Sequence, residues 1–328
     1  MLRPFSKPRV ADCGCVDHSA HLHYNRGGLL PVQVCGREIR VRGRLIRIAA
    51  LDGDGYQFLE DTEATLAALR KSAARIDLFT FIQKLCEASP KYSYPMEWDN
   101  VAALHISSFD DWMMHQIDPR VRTKLRKAAK NGVTVREVSL DDALVRGIHG
   151  IFNESPIRQG KRFRYYGKSF EVVREMTATF LDQSVFIGAF FEGNLIGFTQ
   201  IVIDETLTQA AAKHIISAIQ HRDKAPTNAL IAQAVRSCAE RRIPYLWYGN
   251  FSYGKKRNDS LSDFKRHNGF QKVDLPRYYV PFTGAGRMAL RLGLHHTLID
   301  WIPEPLAATY RRIRRLWYTR KLFGLERA

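Results

Sequence analysis

The passage that most constrains this chain runs from residue 185 to residue 248. It spells out a hairpin, a central strand, a long helix and a further strand with little slack between them. Residues 185–191 and 195–203 are apolar strands joined at Glu192-Gly193-Asn194, a short-hairpin turn. Residues 209–219 are apolar enough for a central strand. Residues 227–241 then place Leu230, Ala234 and Cys238, with Ile231 and Val235, on one face at spacings of three and four, which predicts an amphipathic helix. Asn228 or Thr227 is its expected cap, and Arg241-Arg242 stand at the end that its dipole favours. Pro244 enforces the break into a strand at 245–248.

The flanks read less sharply. Asp118-Pro119 opens a helix carrying Arg120, Arg122, Lys124, Arg126, Lys127 and Lys130, which Asn131-Gly132 stops. A strand at 133–138 and helices at 140–152 and 170–181 follow; a short helix with Phe264 and Lys265 ends at Gly269, and a strand at 280–282 closes the sheet. Upstream, apolar residues alternate with Arg37, Arg40, Arg42, Arg44 and Arg47 as in a half-buried hairpin, followed by a turn at 52–55. A helix over 62–72 and a buried strand over 76–82 come next, and residues 89–100, with two prolines, read as a loop. The division expected is a flexible N-terminus (1–30), an N-terminal domain (31–117), a second domain (118–285) and a basic helical tail (286–328).

A length of 328 residues suits two domains and a tail. No stretch approaches the ~18 apolar residues of a membrane span, and no apolar segment follows the basic N-terminus as in a secretory signal. Five cysteines, an odd and scattered set, suit a reducing compartment. The expectation is a cytoplasmic protein, with peripheral contact at the inner membrane surface as one option. The balance of 50 Lys+Arg against 33 Asp+Glu, a formal +17, favours anionic partners: phosphorylated cofactors, nucleic acid or an acidic membrane face.

Three passages resemble a known family. They are Arg122-Thr-Lys-Leu-Arg-Lys-Ala-Ala-Lys-Asn-Gly-Val-Thr-Val, the hairpin Phe186-Ile-Gly-Ala with Leu195-Ile-Gly-Phe, and Leu261-Ser-Asp-Phe-Lys-Arg-His-Asn-Gly-Phe. With the order helix, helix, three antiparallel strands, long helix, parallel strand, helix, strand, they resemble the GNAT superfamily of acyltransferases, in particular its Fem-type aminoacyltransferase branch. The resemblance implies a mixed α/β sheet with the GNAT fold in the C-terminal half and a degenerate GNAT-like N-terminal half. It also implies that strands near 209–219 and 245–250 lie side by side and then splay to admit an acyl group. The chain departs from the family at the pyrophosphate loop: His221-Arg-Asp-Lys-Ala-Pro-Thr-Asn-Ala has no glycine, and Pro226 has no N–H to offer. Fem-type proteins also lack that loop and use aminoacyl-tRNA. Acyl-CoA is the first expectation for the donor, since no helical-hairpin arm of the Fem type is visible, and aminoacyl-tRNA is the second. The rival from another class is a non-catalytic protein that docks on membrane or RNA through its basic surfaces.

Acyl transfer needs a base, donors for the oxyanion and a proton source for the leaving group. Glu154 and His214 are candidates for the base, and Tyr253 for the acid. Arg158, Gln159, Arg162 and Tyr166, in a loop of Arg, Gln, Tyr and Gly, could grip an anionic or sugar acceptor, against the plainer reading of a solvated basic loop. Tyr248 and Asn250 follow as further substrate contacts, with ordinary packing as the alternative, and the head of Lys265 could meet phosphate, with a plain surface lysine as the alternative. His221, Arg222, Lys224 and Asn228 surround the start of the long helix, where a donor phosphate would sit. Cys13-Gly-Cys15 with His18, His21 and His23 could gather zinc, but the Cys-x-Cys spacing is tighter than usual, and no metal is expected. The basic aromatic tail at 310–323 could pack on its own domain, lie on a membrane or track nucleic acid.

Overall fold

The computed structural model describes residues 32–53, 55–87, 89–252 and 260–296, with the isolated positions 306, 309 and 313. Cys13, Cys15, Tyr253 and most of the tail lie outside the described residues.

The chain opens with β1 (Val32–Val34), β2 (Arg37–Arg42) and β3 (Ile48–Leu51), in which Ile39 and Val41 turn inward between the arginines. The helix α1 (Thr62–Lys71) starts at Asp61, whose carboxylate accepts the Ala64 N–H at 2.9 Å. The strand β4 (Leu78–Ile82) is buried along its whole length. Residues read as a loop hold the start of β5 (Met96–His105), which begins directly after Pro95 and is buried at 101–104. Short α2 (Phe109–Asp111) runs through a π-turn into α3 (Pro119–Lys130), capped by Asp118 with Pro119 in its first turn. Then come β6 (Thr134–Val138), α4 (Asp142–Asn153), the two-residue strands β7 (Ile157–Arg158) and β8 (Lys161–Arg162), and α5 (Phe170–Ala178). The constraining run follows as β9 (Ser184–Phe191), β10 (Asn194–Ile203), β11 (Ala210–Ser217), α6 (Pro226–Glu240) and β12 (Tyr245–Asn250). The described chain closes with α7 (Ser260–His267), β13 (Gln271–Pro281) and α8 (Gly284–Arg291). β13 is longer than the 280–282 strand expected, because Asp274 and Pro276 break its apolar alternation without ending its pairing to β5.

Eleven of the described strands form one mixed sheet in the order β1-β2-β3-β4-β13-β5-β12-β11-β10-β9-β6. Two neighbouring pairs are parallel, β3 with β4 and β11 with β12; every other pair is antiparallel. β5 precedes residue 118 in sequence yet lies between β12 and β13, so the sheet is continuous across that position.

Helix α6 covers one face of β10 and β11 with buried Leu230, Ile231, Val235 and Cys238. Each fully buried aliphatic side chain there contributes about 1.5–3 kcal/mol. Its approach is close: a Cβ at Gly197 would stand 3.2 Å from Leu230 Cδ1 and 3.1 Å from the Ile216 carbonyl. The opposite face holds α4, whose Ile148, Ile151 and Phe152 pack with Phe186, Phe198 and Ile216. Among the described residues no helix is long and apolar enough to cross a membrane.

Candidate active site

The parallel strands β11 and β12 pair at only two positions, Ala210 with Leu246 and Ala211 with Trp247. Beyond them β11 continues to Ser217 along β10, and β12 continues to Asn250 along β5. Each strand carries an irregularity just past the last pair. In β11, Gln200 faces His214 and Ile201 faces Ala212, so Lys213 is an extra, bulged residue. In β12 the register with β5 shifts between Trp247 and Asn250, where Gly249 adopts φ +55°. A bulge bends its strand and increases its twist, and glycine accepts the left-handed backbone this one needs. With two bulges at the same level the β11–β12 pairing ends, leaving a fork whose inner edges carry backbone N–H and C=O groups that have no strand partner among the described residues.

Sequence reasoning missed Lys213, the extra residue of the β11 bulge, whose backbone lies just past the last β11–β12 pair. Its Nζ donates to the carbonyls of Met176 at 2.9 Å and Thr179 at 3.3 Å, and also meets Thr179 Oγ1. It stands 5.6 Å from the Phe180 ring centroid. Burial pushes its pKa from 10.5 down to about 7, with Asp52 pulling the other way. Burial raises the Asp52 carboxyl in turn, while Arg40 at 2.8 Å opposes that. Gly53, with φ +84°, makes the approach possible, because a Cβ there would lie 2.4 Å from Phe180 Cζ. The signal available in the sequence was a single lysine inside Ala-Ala-Ala-Lys-His-Ile-Ile, where an apolar strand leaves a cation few places to go.

His214 follows Lys213 but is enclosed. Its ring packs among Tyr165 (5.7 Å), Phe198 (6.0 Å) and Phe152 (6.4 Å). Burial, then the charges of Lys213 and Arg164, hold it well below the usual histidine pKa, so the imidazole is neutral. Glu154 is engaged on both oxygens: Oε2 accepts the Ile219 N–H at 2.6 Å and an Arg158 N–H at 2.8 Å, and Oε1 accepts the Gln220 N–H at 2.9 Å. Arg158 does not reach outward as expected. It is buried and donates to the carbonyls of Ser217 (2.8 Å) and Ile151 (2.7 Å), stapling the β7–β8 hairpin to the end of β11. Gln159, Arg162 and Tyr166 stand exposed on that hairpin and the turn after it.

The remaining expected contacts divide in the same way. Tyr248 is buried against Phe270 at 5.4 Å, on the face covered by α6. Lys265, read as a surface head for phosphate, is fully buried; its Nζ donates to the Asn250 carbonyl and lies 4.8 Å from the Tyr248 ring centroid, tying α7 to the end of β12. Asn228 neither caps α6 nor faces solvent, since its amide donates to Asn268 at 3.0 Å inside the core. The helix begins earlier than expected, with Ala225 left-handed and Pro226 supplying the helical φ. His221 and Lys224 do gather before it, at 5.8 Å and 4.6 Å from the Phe191 ring centroid, with Arg222 between them in sequence. Beside that turn α3 presents Lys124, Arg126, Lys127 and Lys130, all exposed and without an ion pair among the described residues.

A cavity of about 500 Å³ is lined among others by Tyr56, Phe58, Phe81, Lys84, Asp204 and Gln183. Tyr56 also packs at 5.9 Å on Phe180, the ring that stands beside Lys213.

No protein-family model matches the chain, and no curated protein matches it in sequence. Its structure is similar to several that have been solved. The C-terminal domain of an assigned lysylphosphatidylglycerol synthetase from Agrobacterium fabrum superposes with a TM-score of 0.51 at 16% identity, covering 80% of this chain and 86% of that one. L-PGS from Bacillus licheniformis gives 0.53 at 12% identity, covering 79% and 86%. FemX gives 0.50 at 12% identity, covering 75% and 86%. The chain therefore shares the mixed α/β fold of these three structures, FemX among them.

Proposed function

We propose that this protein is a transferase that receives the carbonyl of an activated acyl or aminoacyl group in the fork between β11 and β12. The observation that carries the proposal is the paired bulging of those strands immediately beyond Ala211 and Trp247. An inserted carbonyl would meet fixed backbone N–H groups, which is how an oxyanion is stabilised without reorganisation. Lys213, with its pKa brought close to neutrality, is the proposed proton acceptor for the attacking amine or hydroxyl. Tyr253, three residues beyond the end of β12 in sequence, is the proposed acid for the leaving group. Glu154 and His214 take supporting parts in this reading, the first holding the loop after β11 and the second filling the aromatic cluster behind the bulge. Exposed Gln159, Arg162 and Tyr166, with the cavity beside Tyr56, are the proposed acceptor contacts. An amine- or hydroxyl-bearing lipid or glycan of the envelope is the acceptor class this reading favours.

Two observations support an aminoacyl-tRNA donor over the acyl-CoA expected first. The Ile219 and Gln220 N–H groups, in the loop where a coenzyme pyrophosphate would dock, are taken by the Glu154 carboxylate. The four exposed cations of α3, which make no ion pair among the described residues, lie beside the start of α6 and suit a polyanion backbone. One of the solved structures similar in fold belongs to a protein named as a lysylphosphatidylglycerol synthetase, and that name accords with a lipid acceptor. The test offers the purified protein radiolabelled aminoacyl-tRNA, acetyl-CoA and palmitoyl-CoA in turn, with a total bacterial lipid extract as acceptor. Label passing from tRNA to the lipid fraction is the expected result. Label passing only from a coenzyme A thioester would restore the first expectation, and no transfer from any donor would leave the rival binding protein.

A further inference from the structure

We propose that Glu97, His295 and His296 form a binding site for one divalent transition-metal ion of the zinc type. It is separate from the fork and independent of the transferase reading. Glu97 lies near the start of β5, and the two histidines follow α8 in the turn that carries the chain back to the sheet. Three ligand atoms, one from each residue, lie within 4.8 Å of one another.

The arrangement is convergent in a way that hydrogen bonding alone does not require. His295 Nε2 is 2.9 Å and His296 Nε2 is 3.1 Å from the same carboxylate oxygen, Glu97 Oε1. The other oxygen, Oε2, accepts from the Tyr279 hydroxyl at 3.4 Å. The two imidazoles lie close together and tilted, with centroids 4.0 Å apart and planes inclined by 37°, and both Nε2 atoms approach the same carboxylate oxygen. Tyr279 packs edge-on against His295 at 4.6 Å and fixes that ring. A tetrahedral ion with bonds of about 2.0–2.1 Å holds its ligand atoms about 3.3 Å apart. The observed N···O separations need to widen by only about 0.2–0.4 Å to admit one.

The donor set chooses the class of ion. Two imidazole nitrogens and one carboxylate suit zinc and its borderline neighbours, whereas calcium and magnesium demand shells built of oxygen. The His295 side chain is 4% exposed, while His296 and Glu97 are 37% and 40% exposed. One side of the site is thus set in protein and the other is open, which leaves a fourth position for water or for a further ligand. An ion there would clip the turn after α8 onto β5.

The test uses the full chain, stripped with EDTA, dialysed, and titrated with ZnCl2 and with CoCl2. Calorimetry should give one Zn(II) per chain, Co(II) should produce the visible absorption of a tetrahedral N/O site, and zinc should raise Tm. The variants Glu97→Gln and His296→Ala should fold normally and bind Zn(II) at least about tenfold more weakly, the smallest loss seen even when an outer-shell partner is removed. The double variant Cys13→Ser/Cys15→Ser should bind as the native chain does. No zinc binding, or binding that survives Glu97→Gln and His296→Ala but vanishes in the cysteine variant, would overturn the proposal.

Discussion

Ala211 and Trp247 are the last two residues that face each other across β11 and β12, and each is followed within two residues by a bulge. The fork is thus built by the strands themselves, and its dimensions depend on two local backbone irregularities. That relationship makes the function testable through small substitutions.

Lys213→Met keeps the length of the side chain and removes its nitrogen. If Lys213 accepts the proton from the acceptor nucleophile, turnover should fall by about 10²–10⁴-fold, the range for a lost general base. The native pH–rate profile should show a limb near pH 7, matching the Lys213 pKa of about 7. A variant that retains both its rate and that limb would remove Lys213 from the chemistry.

The same residue predicts a stability signature. Its pKa is about 7 in the folded chain against the ordinary lysine value of 10.5. Below pH 7 both states hold the proton, and the cost of burying the charge is present in full. Between pH 7 and 10.5 the unfolded chain keeps more of it, so folding stability rises with pH. Relative to Lys213→Met, the native chain should gain up to about 1.4 kcal/mol per pH unit across that window. Urea midpoints from pH 6 to pH 10 measure it, and a difference that stays flat with pH would contradict the burial account.

Glu154→Ala should act chiefly through stability. It leaves the buried Arg158 and the Ile219 and Gln220 N–H groups without their carboxylate, and a broken buried pair costs about 3–5 kcal/mol. Glu154→Gln, which can still accept hydrogen bonds, should cost less. Denaturant unfolding of the two variants checks the order. Equal and small losses would return Glu154 to the list of candidate bases.

Gly249→Ala tests the bend in β12. At φ +55° an added Cβ is strained, and destabilisation of about 1 kcal/mol or more is expected. Because the strain falls at the fork, kcat/KM should drop further than the loss of folded protein explains. A variant that is destabilised yet fully active per folded molecule would show that the bend is not needed.

Much of this architecture could be read before any coordinates, and the failures share a cause. The hairpin at 184–203 and helix α6 declare themselves by period and turn chemistry, and so predict which strands must neighbour each other. β5 was hidden because Pro90, Pro95 and the aromatics around them resemble a loop, and only residues 101–104 of the strand are buried. Arg158 and Lys265 were placed at the surface because charge is a fair guide to exposure; their burial depends on carbonyls of Ser217, Ile151 and Asn250 that only the tertiary fold brings near. Lys213 was missed for the opposite reason. A bulge is a mismatch between two strands, and one strand read alone does not contain it.

The central claim rests on an open fork that takes up a carbonyl, and hydrogen–deuterium exchange reports on it without knowledge of the acceptor. Exchange would be followed with and without a 3′-amide-linked aminoacyl-tRNA pool and, separately, acetyl-CoA. One of these donors should slow exchange in residues 212–217 and 248–252 together, while β1–β4 stay unchanged. Protection confined to α3, with both edges of the fork exchanging as before, would mean that nucleic acid binds but no acyl group enters, and the transferase account would fail.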